Sequence, residues 1–150
     1  MLPAPAPAPE ASPVAATDDG RPLLSAEPRW CYGQAGTDLE GGCFENREAC
    51  QLHREGQVAY TMGRLLESLS PAEKDTPEKR HPYAYRAYDT WSTCAARSAF
   101  ACFAMTRVVT GEKLELCYPT VATCDTVLAK NELDPDLVLR AKRCAVLRSP

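Results

Sequence analysis

The chain is poor in the patterns by which most activities are recognised. It has 2 histidines, His53 and His81, and neither sits in a Gly-x-Ser-x-Gly or His-Glu-x-x-His setting, so the familiar hydrolase motifs are missing. Gly41-Gly42 is an isolated pair followed by Cys43, which is not the spacing of a phosphate loop. Lys and Arg number 17 against 20 acidic residues, both signs being spread along the chain. There is no basic stripe of the kind that counterion release from nucleic acid requires, so nucleic acid is not an expected partner. No apolar run approaches the ~20 residues of a membrane span. No motif for a cofactor is present, and none is expected.

The N-terminus lacks a basic region followed by an apolar core, as a signal peptide would show. Met1-Leu2 runs straight into Pro3-Ala4-Pro5-Ala6-Pro7. Taken with the cysteines, this reads as the mature form of an exported protein, its signal peptide removed and Met1 a start added or retained. Residues 1–28 hold more than half of the 13 prolines and little apolar pattern. They are expected to form a disordered Pro/Ala-rich linker. Extended polyproline geometry rises ~3.1 Å per residue, so such a linker suits a spacer or tether.

Cysteine is abundant instead. The 8 residues Cys31, Cys43, Cys50, Cys94, Cys102, Cys117, Cys124 and Cys144 are even in number and dense for so short a chain. None forms the Cys-x-x-Cys pair of zinc fingers or thioredoxin-like sites. The spacing suits four disulfides between different elements, in an oxidising, extracytoplasmic compartment: periplasm, cell surface or medium.

Aligned with itself, the chain repeats. Cys31-Tyr32 and Cys43-Phe44 match Cys102-Phe103 and Cys117-Tyr118, and Cys50 matches Cys124, each four residues after a capping residue, Asn46 or Thr120. Cys94-Ala95-Ala96-Arg97-Ser98 matches Cys144-Ala145-Val146-Leu147-Arg148-Ser149. The cysteines thus fall into two sets of four in the same order. Trp30-Cys31-Tyr32 and 101–109 favour strands. Turns at Gly33 to Gly42 and at Thr110-Gly111 lead to return strands carrying Cys43 and Cys117. Helices start at the Asn46 and Thr120 caps. Val121, Cys124, Val127 and Leu128 make a helical stripe, Asn131 is a left-handed stop, and last strands over 90–98 and 137–148 carry Cys94 and Cys144. The fold predicted is α+β: two tandem disulfide-stapled ββαβ modules, 29–98 and 99–150, behind the linker.

The first module carries an insertion, 57–90. Val58, Met62, Leu65 and Leu69 are expected to prolong its helix to Ser70-Pro71. A charged, proline-interrupted loop over 72–80 follows, then the aromatic run Tyr83, Tyr85, Tyr88 and Trp91. Such tyrosines usually pack a strand. An insertion held by one copy is nevertheless where a repeat protein places its own function, so these four are the candidate partner-binding residues. Cys50 and His53, at i and i+3, could share a metal ion, but the position matching His53 is Val127 and no further ligand lies near. A half-exposed helix residue is the preferred reading of His53, and no metal is expected.

A ββαβ unit of fewer than about 70 residues buries too little apolar surface to offset roughly 1–2 kcal/mol of backbone entropy per residue. A disulfide adds typically ~2–4 kcal/mol, so two per module suffice. Several pairings fit each set. If a helix lies across the sheet, its cysteine is best placed for the first-strand cysteine, which favours Cys31–Cys50, Cys43–Cys94, Cys102–Cys124 and Cys117–Cys144. If the strand cysteines face the helix, Tyr32, Phe44, Phe103 and Tyr118 face the other way, where the two modules are expected to pack together.

The order aromatic-Cys, turn, Cys-aromatic, capped helix with Cys, then Cys resembles the tandem cysteine-rich modules of secreted proteins from myxobacteria and their relatives, over about Trp30 to Arg148. The resemblance implies export and repetition and supplies no activity. The long insertion departs from the compact spacing of that pattern. The expected function is a non-enzymatic extracytoplasmic binding or structural module recognising another protein. A small secreted hydrolase or hydrolase inhibitor is the alternative, and a redox protein with labile bridges a third.

Overall fold

The computed structural model describes residues 15–16 and 21–149. In chain order the elements are β1 (Ala15–Ala16), β2 (Pro22–Ser25), β3 (Arg29–Tyr32), β4 (Gly42–Phe44), α1 (Arg47–Leu66), α2 (Pro71–Lys74), α3 (Pro77–Thr90), β5 (Ala95–Arg97), β6 (Ala99–Arg107), β7 (Lys113–Tyr118), α4 (Val121–Asn131), β8 (Leu137–Leu139) and β9 (Ala145–Arg148). The strands form one mixed sheet in the order β1-β2-β9-β6-β7-β4-β3-β5, with β8 also on β6. β3 lies between β4 and β5, and β6 between β7 and β9, all antiparallel. β4 and β7 join these two groups at Cys43 opposite Cys117.

Local chemistry accounts for the element starts. Asn46 accepts a hydrogen bond from Ala49 N at 2.8 Å and Thr120 one from Thr123 N at 3.2 Å, so both caps act at the expected places. Gly41 is needed where it stands: its φ is +70° and a Cβ there would meet Tyr32 O at 2.0 Å.

Between 67 and 91 the structure departs from expectation. α1 stops at Leu66, short of Ser70-Pro71, and the segment expected as a charged loop and a strand forms α2 and α3 instead. The prolines that read as interruptions are helix starts. Pro71 stands inside a Ser70–Glu73 capping box and Pro77 opens α3, each at a first-turn position where a missing N–H costs nothing. The tyrosines therefore follow helical spacing, with His81, Tyr85 and Tyr88 on one stripe. Asn131 is not a left-handed stop: it is the last residue of α4, its side chain donates to Val127 O, and the cap Glu132 has φ −59°. Cys94 and Cys144 precede β5 and β9 rather than lying within them.

The linker expected over 1–28 falls largely outside the described residues. Its described end is not a linker, because β2 pairs in parallel with β9 and Leu24 and Ala26 pack on the core. Arg21 anchors this segment with a two-pronged pair to Asp125 on α4, whose carboxylate also accepts from Cys144 N.

The bridges are Cys31–Cys43, Cys50–Cys94, Cys102–Cys117 and Cys124–Cys144. Each joins two members of one set of four, but the pairing differs from the expected one, and strand alternation explains why. Tyr32 packs beneath α1 with Cys50, so its neighbour Cys31 points to the opposite face of the sheet and cannot reach Cys50. It bonds instead to Cys43, directly across the hairpin. The same logic puts Phe103 under α4 with Cys124, and Cys102 on the far face. The expectation for the aromatics is thereby reversed. They face the helices, and the four strand cysteines gather with Phe100 and Leu147 on the other side.

Candidate functional site

α1 and α3 pack as an arm over the sheet end formed by β3 and β5. Its inner side is closed by polar contacts. Trp91 Nε1 donates to Thr61 Oγ1 at 2.9 Å. Arg54 donates through Nε to Ser92 O at 2.7 Å and through Nη2 to Trp91 O at 2.9 Å, binding α1 to the residues that end α3. Trp91 is 4 % exposed and lies with Tyr32, Cys50, Val58 and Ala87 in one apolar cluster.

The outer side of the arm is aromatic and cationic. Tyr85 is 61 % exposed, and Tyr60 and Tyr88 are exposed as well. Each has a basic neighbour: the Arg64 guanidinium lies over Tyr60, Arg54 over Tyr88, and the His81 ring meets Tyr85 edge-on at 4.7 Å. Tyr83 is half-buried beneath Arg86. The four aromatics singled out in the sequence are thus divided. Tyr85 and Tyr88 present a surface, Tyr83 sits at its margin, and Trp91 anchors the arm from within. Tyr60 is exposed on α1 beside Arg64, one turn further along the same helix.

His53 lies two helical turns before Tyr60 on α1, where the helix meets the sheet. Its Nδ1 is 2.6 Å from the Tyr32 hydroxyl, and its ring lies 4.8 Å from that of Phe44. Burial pushes Tyr32 up to about 12 and lowers the basicity of His53. Tyr32 therefore keeps its proton at neutral pH and shares a hydrogen bond with His53 Nδ1. Cys50 is bonded to Cys94, so it offers no thiolate to a metal shared with His53.

A cleft opens beside His53, where β4 and β7 part below their shared rung. It encloses about 340 Å³ and is lined by Arg29, Cys43, Phe44, His53, Glu115, Cys117 and Tyr118, among others. Arg29 and Glu115 pair across it. A second cleft of about 520 Å³ continues past Tyr118 between α1 and α4, with Gln57, Thr126 and Lys130 along its walls. The Glu40 N–H donates to Thr123 Oγ1 at 2.9 Å and so ties the first hairpin loop to α4 at its end. Cys102, Glu115 and Cys117 bring ligand-type atoms within 4.8 Å of one another, but both sulfurs are in a bridge and carry no thiolate charge. Sequence reasoning missed this cleft because its walls come from residues remote in the chain and neither copy contains it alone.

Comparison with protein-family models, with curated proteins and with solved structures finds no match.

Proposed function

We propose that the chain is a non-enzymatic, extracytoplasmic binding module that recognises another protein through the outer face of the α1–α3 arm. The observation that carries this reading is the exposed pair Tyr85 and Tyr88 on α3, Tyr88 lying beneath the Arg54 guanidinium and Tyr85 meeting the His81 ring edge-on. Tyrosine and arginine are the residues most enriched where protein interfaces concentrate their energy. The surface has no strong charge of its own: Arg64, Lys74, Lys79, Arg80 and Arg86 balance Glu67, Glu73, Asp75, Glu78 and Asp89. That balance favours a polypeptide over a polyanion. Four disulfides support an oxidising compartment, and among the described residues no helix is long and apolar enough to cross a membrane.

The reading includes a duplicated ββαβ unit, akin to the tandem cysteine-rich modules named above, of which one copy has acquired the arm. The parallel placement of β3 between β4 and β5 and of β6 between β7 and β9 supports it, as do the corresponding bridges. Deleting 57–90 is not a clean test, because Val58 and Ala87 are core residues. The better variant is Tyr85→Ser with Tyr88→Ser. The wild-type chain, immobilised against a native envelope extract, should retain a partner that this variant loses while its circular dichroism stays native. Equal retention by both would move recognition off the arm.

A further inference from the structure

Four cysteines make a row across four strands. Cys31 stands opposite Cys43, Cys43 opposite Cys117, and Cys117 opposite Cys102. Residues directly opposite on neighbouring strands share a face, and all four lie in one apolar cluster. The bridges take the two outer pairs, each with Cα atoms 4.1 Å apart. So close an approach is that of non-hydrogen-bonded partners, at about 4.5 Å, not of hydrogen-bonded ones, at about 5.5 Å. In an antiparallel sheet the N–H and C=O of one residue point to the same side. Cys43, turned away from β3, and Cys117, turned away from β6, therefore face each other as a hydrogen-bonded pair at about 5.5 Å, which is within the commonest Cα spacing of disulfides. The middle pair is spaced for a bridge that it does not carry.

We propose that the row is a site of thiol–disulfide exchange, in which a small dithiol reduces either outer bridge and the change is relayed to a Cys43–Cys117 bridge. In the first direction the dithiol reduces Cys31–Cys43, passing two electrons and two protons to the pair and leaving as its own disulfide. Cys43 loses its proton to water, and the thiolate attacks Cys117 Sγ. The Cys43–Cys117 bond forms as Cys102–Cys117 breaks, and Cys102 leaves as a thiolate that takes up a proton. Attacking, central and leaving sulfurs come from β4, β7 and β6, consecutive strands of the sheet. The attack thus comes from the side opposite the leaving group. In the mirror direction, reduction of Cys102–Cys117 frees Cys117 to attack Cys43 and expel Cys31. Both routes end at one product, with thiols at Cys31 and Cys102.

Access differs between the bridges. Cys43 and Cys117 line the cleft beside His53; Cys124–Cys144 is wholly buried, while Cys94 leaves the Cys50–Cys94 bridge partly exposed. The exchange replaces the two hairpin links by one across the seam between them, and the fully buried Cys124–Cys144 bridge stays closed.

The test is limited reduction of the oxidised protein with dithiothreitol, without denaturant, followed by acid quench, alkylation and peptide mapping. The expected product carries a Cys43–Cys117 linked peptide with Cys31 and Cys102 alkylated together. Products in which Cys31 and Cys43, or Cys102 and Cys117, are alkylated as pairs with no Cys43–Cys117 peptide overturn the proposal. The variant Cys31→Ser with Cys102→Ser, refolded in air, is expected to join Cys43 to Cys117; free thiols at both in a chain with native circular dichroism would equally overturn it. If that variant does not fold, the wild-type map decides.

Discussion

Cys43 and Cys117 face each other where β4 meets β7, yet each is bonded to a cysteine on its far side. The sheet is continuous through this point while the covalent framework is not, because no disulfide crosses from one set of cysteines to the other.

The bridges should differ in what they contribute. Cys31–Cys43 spans a sequence separation of 12 and Cys50–Cys94 one of 44. Chain-entropy estimates give about 3 kcal/mol for the shorter loop and about 4 kcal/mol for the longer. Paired Cys→Ser replacement of Cys50 and Cys94 should therefore lower the urea midpoint further than the same change at Cys31 and Cys43. A larger loss from the hairpin pair would show that native-state packing, not loop closure, dominates.

The aromatics of the arm should separate sharply in mutagenesis. Trp91→Ala removes a buried indole and its hydrogen bond to Thr61, a change expected to destabilise by about 3–5 kcal/mol. Tyr85→Ala and Tyr88→Ala, at exposed positions, should stay within about 0.5 kcal/mol. Thermal unfolding of the three variants measures the contrast.

The Tyr32–His53 pair makes stability depend on pH at both ends. His53 is lowered by burial from its ordinary 6.5. As pH falls below that value, the unfolded chain takes up a proton that the folded chain resists, so stability drops. Tyr32 is raised from 10.0 to about 12. As pH rises between those values, the folded chain holds a proton that the unfolded chain releases, and stability drops again. Urea midpoints across both windows should show the two slopes, and His53→Gln should flatten the acid one. Imidazole titration by NMR with a midpoint above 6.5 would contradict the acid half.

Arg21 is expected to secure the N-terminal strand. Its paired hydrogen bonds to Asp125 hold that carboxyl below its ordinary 3.8. The contribution is complete above 3.8 and is lost as pH falls through the folded value. Arg21→Met should destabilise by about 1–2 kcal/mol, the range for a two-pronged, partly shielded pair. It should also open residues 21–28 to limited proteolysis.

What could be read from the sequence was what local chemistry encodes. Asn46 and Thr120 mark the helix starts because a cap acts over three residues, and the hairpins follow from turns beside β-formers. The faces of β3 and β6 could not be read, because Cys31 and Tyr32 are both buried and alternation alone does not say which side a helix covers. Pro71 and Pro77 read equally as breakers or as first-turn residues until a cap is seen in place. The strand at Pro22–Ser25 draws its order from β9, far along the chain, and its own composition gives no hint of that partner. The cleft beside His53 likewise exists only after residues near 43 and 117 have met.

The single rung at Cys43 and Cys117 also bears on how the chain would behave under load. Pulled apart across that seam, the sheet would part between two hairpins that are each closed by a covalent tie. Beyond it, the segments inside the loops 31–43, 50–94, 102–117 and 124–144 could not pay out. Under load those four loops would stay closed, and only the stretches between them would lengthen.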